Sequence, residues 1–312
     1  MTTETTATAT TPTASAPKPP RRRHKVARYD TVLGWDTQRG IGAVGVYLVY
    51  GAIVLVFAGP LVALLIGAFS RVVDPTKFSL VPEGGFTIAN FVAATDRGVY
   101  GYLFNSFVVV GFGLLLQIVV SVFAAYALAR KRFRGAAVTM LLILATMMLP
   151  EEVIAIPLSV VLADLPPFHI NLIGTYAGMI LPVAAWGFSI LVMTEFMKEV
   201  PIELEEAAKI DGAGELRIFF NVILPLCRPA LGVIGVFGFT MIWDQYLLPL
   251  IVATEPSQYT LPIALRTLRS DEEVGIGVLL AASILALLPS VVAFLAFQRQ
   301  FVRGLTSGAI KG

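Results

Sequence analysis

Six long apolar runs constrain this chain more than any other feature of its sequence. They lie near 41–69, 102–128, 136–163, 171–196, 230–252 and 275–298. Each is long enough to cross a bilayer, whose hydrocarbon needs about 20 apolar residues in a helix. No water reaches that region, so the backbone there must satisfy its own hydrogen bonds as a helix. The alternation of a membrane barrel strand, apolar then polar, is missing. Composition agrees. Charged residues make up only 14% of the chain and hydrophobic residues 56%, against about 25% charged in a soluble domain. The expected fold class is an all-α integral membrane protein with six transmembrane helices. One cysteine, Cys227, and two distant histidines, His24 and His169, exclude a disulfide framework and a Cys- or His-rich metal site.

Charge placement orients the chain. Residues 1–20 are mostly Thr, Ala, Ser and Pro, and a basic run follows at Arg21, Arg22, Arg23, Lys25 and Arg28. Such a composition buries too little apolar surface to offset chain entropy, so residues 1–39 are expected to be a disordered basic tail. The first apolar run starts too far in, and is too long, for a cleaved signal peptide. The basic run has no aromatic or motif support for nucleic-acid binding and reads as a membrane-flanking anchor. With the N-terminus inside, the inside segments hold 18 of the 23 Lys and Arg residues. That bias puts both termini in the cytoplasm. The expected division is a tail at 1–39, a six-helix transmembrane domain at 40–301 and a C-terminal tail at 302–312.

The longest inside connection, 197–229, carries the most information. Pro201 suits a helix start, and Glu203, Glu205 and Glu206 suit its positive end. Ala207 and Ala208 are strong helix formers of little bulk. Gly212 and Gly214 allow a sharp turn. A second short amphipathic stretch follows with Leu216, Phe219 and Phe220, stopped by Pro225. Two readings remain open on these residues alone: a helix that docks into a groove on a partner, or an interfacial helix that caps the bundle.

The spacing Glu206-Ala207-Ala208, Gly212, Val222, Leu224-Pro225 resembles the EAA loop of ATP-binding-cassette (ABC) importer permeases, with Val222 where the family pattern has Ile. Tyr126–Gly135 resembles that family's turn between its second and third spans, and Trp243–Leu250 and Phe301–Gly312 resemble its sugar-importer branch. In Trp243–Leu250, Asp244 stands where Asn is common and Gln245 where an acid is common. The resemblance implies a coupling helix that sits in a cleft on a nucleotide-binding subunit. By position it assigns that coupling to Glu206, Ala207, Ala208, Asp211 and Gly212, and to Gly304 and Thr306 in the C-terminal tail. Glu206 then pairs with a basic group on the partner or caps its own helix. The resemblance also implies a second permease subunit, two ATPase subunits, an extracytoplasmic solute-binding protein and a sugar substrate, in the plasma membrane of a prokaryote. Tyr259, Thr260 and Leu261 occupy the loop that contacts the binding protein in that family.

The residues themselves support a passive, partner-driven role. The chain has no Gly-x-x-x-x-Gly-Lys-[Ser/Thr] loop, so ATP and Mg are expected on the partner ATPase subunits, with no cofactor or metal on this chain and no catalysis by it. Polar residues inside the spans are candidates for the translocation path, because ionisable groups in lipid usually face a cavity or a neighbour. Trp243, Asp244, Gln245 and Tyr246 offer aromatic and hydrogen-bonding surfaces to a sugar; the alternative is a polar lock between helices. Glu151 and Glu152 follow a helix-breaking Pro150 and sit either at the outer interface or on the cavity. Asn105 and Gln117 read as helix–helix hydrogen-bond partners, and Trp186 as packing. The absence of Lys and Arg deep in any span favours a neutral sugar over glycerol-phosphate or another small solute. An ion-coupled secondary transporter using Asp244 and the Glu pair leaves the 197–229 loop without a role. A membrane-embedded enzyme lacks a nucleophile or metal constellation.

Overall fold

The computed structural model describes residues 41–74 and 81–309, with backbone alone at 41–43 and 298–309, together with an antiparallel pairing of Thr31–Val32 with Trp35–Asp36. The tail expected at 1–39 lies outside the described residues apart from that pairing. The chain divides into two units, residues 1–59 and residues 60–312.

In chain order the helices are α1 (Ile41–Ala68), α2 (Ala89–Asp96), α3 (Val99–Arg130), α4 (Ala136–Thr146), α5 (Glu151–Ala163), α6 (Tyr176–Ile180) and α7 (Gly187–Glu199). After α6 a 3-10 turn covers Pro182–Ala185. The series continues with α8 (Ile202–Ile210), α9 (Glu215–Ile218), α10 (Leu224–Leu226), α11 (Arg228–Trp243), α12 (Leu247–Val252), α13 (Leu261–Ser270) and α14 (Ile276–Ala309). A π-helical turn, Phe219–Ile223, joins α9 to α10. Residues 302–309, within the expected C-terminal tail, are helical and continue α14.

Four helical segments are long and apolar enough to cross a membrane: Val44–Ala68, Val99–Arg130, Tyr176–Glu199 and Ile276–Phe297. Two further segments qualify only as bent pairs. The pair α4 and α5 bends by 109°, and Glu215–Leu226 with Arg228–Trp243 bends by 71°. Apart from the short pairing at 31–36, the regular structure of the described residues is therefore helical, with four to six candidate spans. The runs at 136–163 and 230–252 are not the continuous helices their apolarity suggests. The first breaks ahead of Pro150, which cannot continue a helix from α4. The second stops at Trp243 and resumes at Leu247.

α3 is the central strut, unbroken for 32 residues and roughly 48 Å long at 1.5 Å per residue. Two stripes run along it. Ser106, Gly113, Gln117, Ser121 and Ala125 are buried, whereas Phe104, Phe112, Leu115 and Phe123 are exposed. Small and polar residues inside with large apolar ones outside is the pattern of a helix whose surroundings are lipid. Gln117 donates to Ser189 Oγ on α7 at 2.8 Å, which makes it the helix–helix partner its position predicts. Gly238 on α11 lets it approach α3 closely: a Cβ there would stand 2.7 Å from Gln117 Oε1 and 2.8 Å from Leu114 Cδ1, so those side-chain ends would have to shift.

Two buried apolar clusters surround α3. One joins its Val109 and Val110 to Met179, Val183, Ile242, Val252 and Leu261. The other joins its Val122 and Ala125 to Met193, Met197, Phe219, Ile223, Cys227 and Ile234. The same helix thus roots the packing at both ends of the bundle. Cys227 is buried within this second cluster.

Candidate functional site

Two regions gather the polar groups that the sequence singles out. The first is the connection between α7 and α11. α8 starts after Pro201 and carries Glu203 and Glu205 in its first turn, as the sequence predicts. It ends at Gly212, whose φ of +78° is a conformation that favours glycine. Glu203, Glu206, Ala207 and Ile210 fall on one face of α8 by the i, i+3, i+4, i+7 rule, and that face is exposed. Ile210 is 86% exposed and Leu216 71%. Asp211 and Gly212 are exposed beside them. Glu206 makes no hydrogen bond or ion pair among the described residues, so it is not a local cap.

The opposite face of α8 is buried. Ala208 packs toward the second cluster. Glu205, which the sequence marks only as a helix-start glutamate, forms an ion pair with Arg130 at 3.1 Å. Both side chains are only 6% exposed. Gly304 and Thr306 lie in α14 where backbone alone is described, and their proposed coupling contacts fall outside the described residues.

The second region is a cavity of about 400 Å³. Three breaks in helical backbone border it. Met147, Leu149 and Glu151 come from the break between α4 and α5. Pro182, Val183, Ala185, Trp186 and Gly187 come from the 3-10 turn and the start of α7. Gln245, Leu247 and Leu248 come from the break between α11 and α12. Glu151 and Gln245 approach to 3.5 Å across it. The polar side chains on its wall are Thr146, Glu151, Gln245 and the Trp186 indole; no Lys, Arg or His lines it. Trp186, which reads from sequence as packing, is therefore a wall of this cavity. Its signal was local: Pro182 and Gly187 bracket it and interrupt an otherwise helical run. Glu152 is exposed.

The Trp243–Tyr246 segment divides. Gln245 faces the cavity just described. Trp243 is buried; its indole N–H donates to the Ala286 carbonyl at 3.2 Å, and its ring stacks on Phe239 and tilts against Phe107. Trp243 thus packs between helices, and it also lines, with Asp244, Pro262, Ser283 and Ser290, a separate cavity of about 300 Å³. Tyr246 has the Arg266 guanidinium 5.8 Å from its ring centre.

In the segment Tyr259–Leu261 the first residue is half-buried and the other two are buried. The Leu261 N–H donates to Ser106 Oγ at 2.8 Å, and the Tyr259 and Ser257 carbonyls accept from Asn105 Nδ2 at 2.9 and 2.7 Å. The Tyr176 hydroxyl donates to Asn105 Oδ1 at 2.7 Å. Asn105 therefore bonds a neighbouring helix, as its position predicts, through Tyr176 of α6, and also holds the connecting segment. The exposed part of this connection is Thr254, Glu255, Pro256 and Ser257.

Comparison with known proteins agrees with this architecture. Residues 117–307 match the family described as the binding-protein-dependent transport system inner membrane component. The arabinooligosaccharides transport system permease AraQ of Halalkalibacterium halodurans is 30% identical over 285 residues, covering 90% of this chain and 98% of that protein. The sn-glycerol-3-phosphate transport system permease UgpE of Yersinia pestis is 38% identical over 205 residues, 65% of this chain and 71% of the relative. Among solved structures, a chain of a bacterial ABC transporter involved in import of the acidic polysaccharide alginate superimposes with a TM-score of 0.72 at 20% identity, over 82% of this chain and 95% of that one. With its apolar helices, its exposed connection at 197–229 and this match, the chain belongs to the family of binding-protein-dependent transport system inner membrane components, the multi-pass permease subunits of ABC importers.

Proposed function

We propose that this chain is one of two permease subunits of an importer for a neutral carbohydrate, with six spans, both termini cytoplasmic, and α8 as the coupling helix. The observation that carries the coupling role is the two-sidedness of α8. Its buried face is anchored by an ion pair, while Glu206, Ala207 and Ile210 stand exposed on the other. An apolar residue as exposed as Ile210, beside small Ala207, suits a cleft on an ATPase subunit. Asp211 and Gly212 form the turn behind it, and Gly304 and Thr306 are assigned to the same partner.

The cavity at the three helix breaks supports the carbohydrate reading. Irregular backbone at membrane depth is tolerated where it borders a cavity. Glu151 and Gln245 offer hydrogen-bonding groups to hydroxyls, and the Trp186 ring offers a flat face to a sugar. Asp244 and Tyr246, next to Gln245 in the chain, are assigned to the same path, Asp244 from the smaller cavity. A phosphate or sulfonate would meet Glu151 with no cation to offset it, which disfavours glycerol-phosphate despite the 38% identical relative. Solute-binding-protein contact is assigned to the exposed residues 254–257 with Tyr259 beside them.

The test is ATP hydrolysis by the co-purified complex in nanodiscs, with arabinooligosaccharides or glycerol 3-phosphate presented on their binding proteins. A separate ATPase should co-purify, and the sugar should stimulate it. Glu206→Ala and Gly212→Pro should abolish stimulation. A chain that purifies alone, or transports on an ion gradient without ATP, defeats the proposal. Stimulation by glycerol 3-phosphate alone defeats its carbohydrate part.

A further inference from the structure

The last two turns of α3 hold both halves of the α7–α11 connection. Phe123, Tyr126 and Arg130 share one helical face at i, i+3 and i+7. Arg130 pairs with Glu205 of α8 at 3.1 Å, and its Nη2 donates to the Val200 carbonyl at 2.5 Å, just ahead of α8. The Tyr126 hydroxyl donates to Glu215 of α9 at 2.9 Å, and the Lys131 ammonium pairs with the same carboxylate. The Phe219 ring, first in the π-helical turn, lies 5.2 Å from Phe123 and 4.8 Å from Tyr126. One rod therefore grips the connection on each side of the Gly212 turn.

Burying the Arg130–Glu205 pair is not a cheap way to stabilise a fold. Desolvation offsets most of the attraction between buried ions, and an apolar pair of similar volume often does as well or better. What such a pair supplies is register: a carboxylate and a guanidinium have few places to go when both are dry. The other end of α3 holds the external connection through Asn105 and Ser106. A displacement of α3 thus has a defined attachment at both ends.

We infer that Arg130 is a positioning residue for energy coupling, fixing α8 to α3 through Glu205 so that motion of α8 on an ATPase subunit moves α3 as one body. This rests on the importer reading of the proposed function. It separates two properties that a merely structural role would keep together, assembly and transmission.

The experiment uses the whole complex in nanodiscs and a reporter cysteine, Ala185→Cys, on the cavity wall; the native Cys227 is buried. Labelling by N-ethylmaleimide is timed with and without ATP and vanadate. The apolar replacement Arg130→Met with Glu205→Leu keeps the volume and removes the register. It should co-purify with the ATPase and hydrolyse ATP within about twofold of wild type. The ATP-dependent change in labelling, tenfold or more in wild type, should fall below twofold. The exchange Arg130→Glu with Glu205→Arg should restore it in part. If the apolar pair does not assemble, Glu205→Gln reads the same quantity with less disturbance. A labelling change equal to wild type in the apolar pair or in Glu205→Gln overturns the inference. If the wild type itself shows no ATP-dependent change, the importer reading fails and takes this inference with it.

Discussion

Ile210 gives the sharpest separation between folding and docking. It is 86% exposed at the end of α8, so truncating it removes almost no internal packing. A surface change of this kind alters stability by about 0.5 kcal/mol or less. If the same side chain inserts into a cleft on the ATPase subunit, its burial contributes about 1.5–3 kcal/mol to that contact. At about 1.4 kcal/mol per tenfold, Ile210→Ala should weaken association by roughly 10- to 100-fold. Ile210→Asp should weaken it further, because a carboxylate must lose water on docking. The assay is titration of purified ATPase subunit against the permease in nanodiscs, beside a thermal melt of the permease alone. The docking argument is refuted if Ile210→Ala binds the ATPase as wild type does. It is equally refuted if the melt drops by several degrees, since Ile210 would then be holding the fold.

Three further outcomes follow from the geometry. Gly238→Ala places a methyl 2.7 Å from a Gln117 amide already committed to Ser189; overpacking of this kind should cost about 1–3 kcal/mol, read as a lower melting temperature in detergent. Asn105→Ala removes the bonds to Ser257, Tyr259 and Tyr176, each worth about 0.6 kcal/mol in a membrane bundle, and should speed proteolysis within residues 254–260 with the bundle still intact. Glu151→Lys reverses the charge of the cavity wall and should cut neutral-sugar transport at least tenfold, whereas Glu151→Gln, which keeps a hydrogen-bonding group, should retain most of it in a transport assay.

Features dictated by the solvent were the ones legible in sequence. Lipid demands long apolar helices, so the positions of the runs follow from composition. The helix-turn-helix at 201–226 was legible because Pro201, the glutamates, Gly212 and Pro225 each act locally. Pro150 announced the first helix break for the same reason. The break at Asp244–Tyr246 gave no such signal, because apolar residues continue on both sides. α2 and α13 were hidden within loops too short and polar to read as spans. α13 did carry a pattern, with Leu261, Ala264 and Leu268 buried and Arg266 and Arg269 exposed. Contacts between distant positions were beyond reach. Nothing near Thr260 or Leu261 reveals Asn105 and Ser106 more than 150 positions earlier, and although the loop spacing singles out Glu206, nothing near Glu205 reveals its partner Arg130.

The contrast between α3 and its neighbours has a physical basis. Each break in a membrane helix leaves amide and carbonyl groups without intrahelical partners, at a cost of several kcal/mol apiece if they face hydrocarbon. Three such breaks border one cavity, at Met147–Glu151, Pro182–Gly187 and Gln245–Leu248, while α3 runs past without interruption. A bundle whose only task was to span lipid would keep those segments helical. Clustering them at one place lets water or a solute satisfy the exposed backbone and concentrates the polar side chains Glu151 and Gln245 where they meet that solute. The unbroken helix then supplies what broken ones cannot, a stiff connection between the segment bound to Asn105 at one end and the helices bound to Arg130 and Tyr126 at the other.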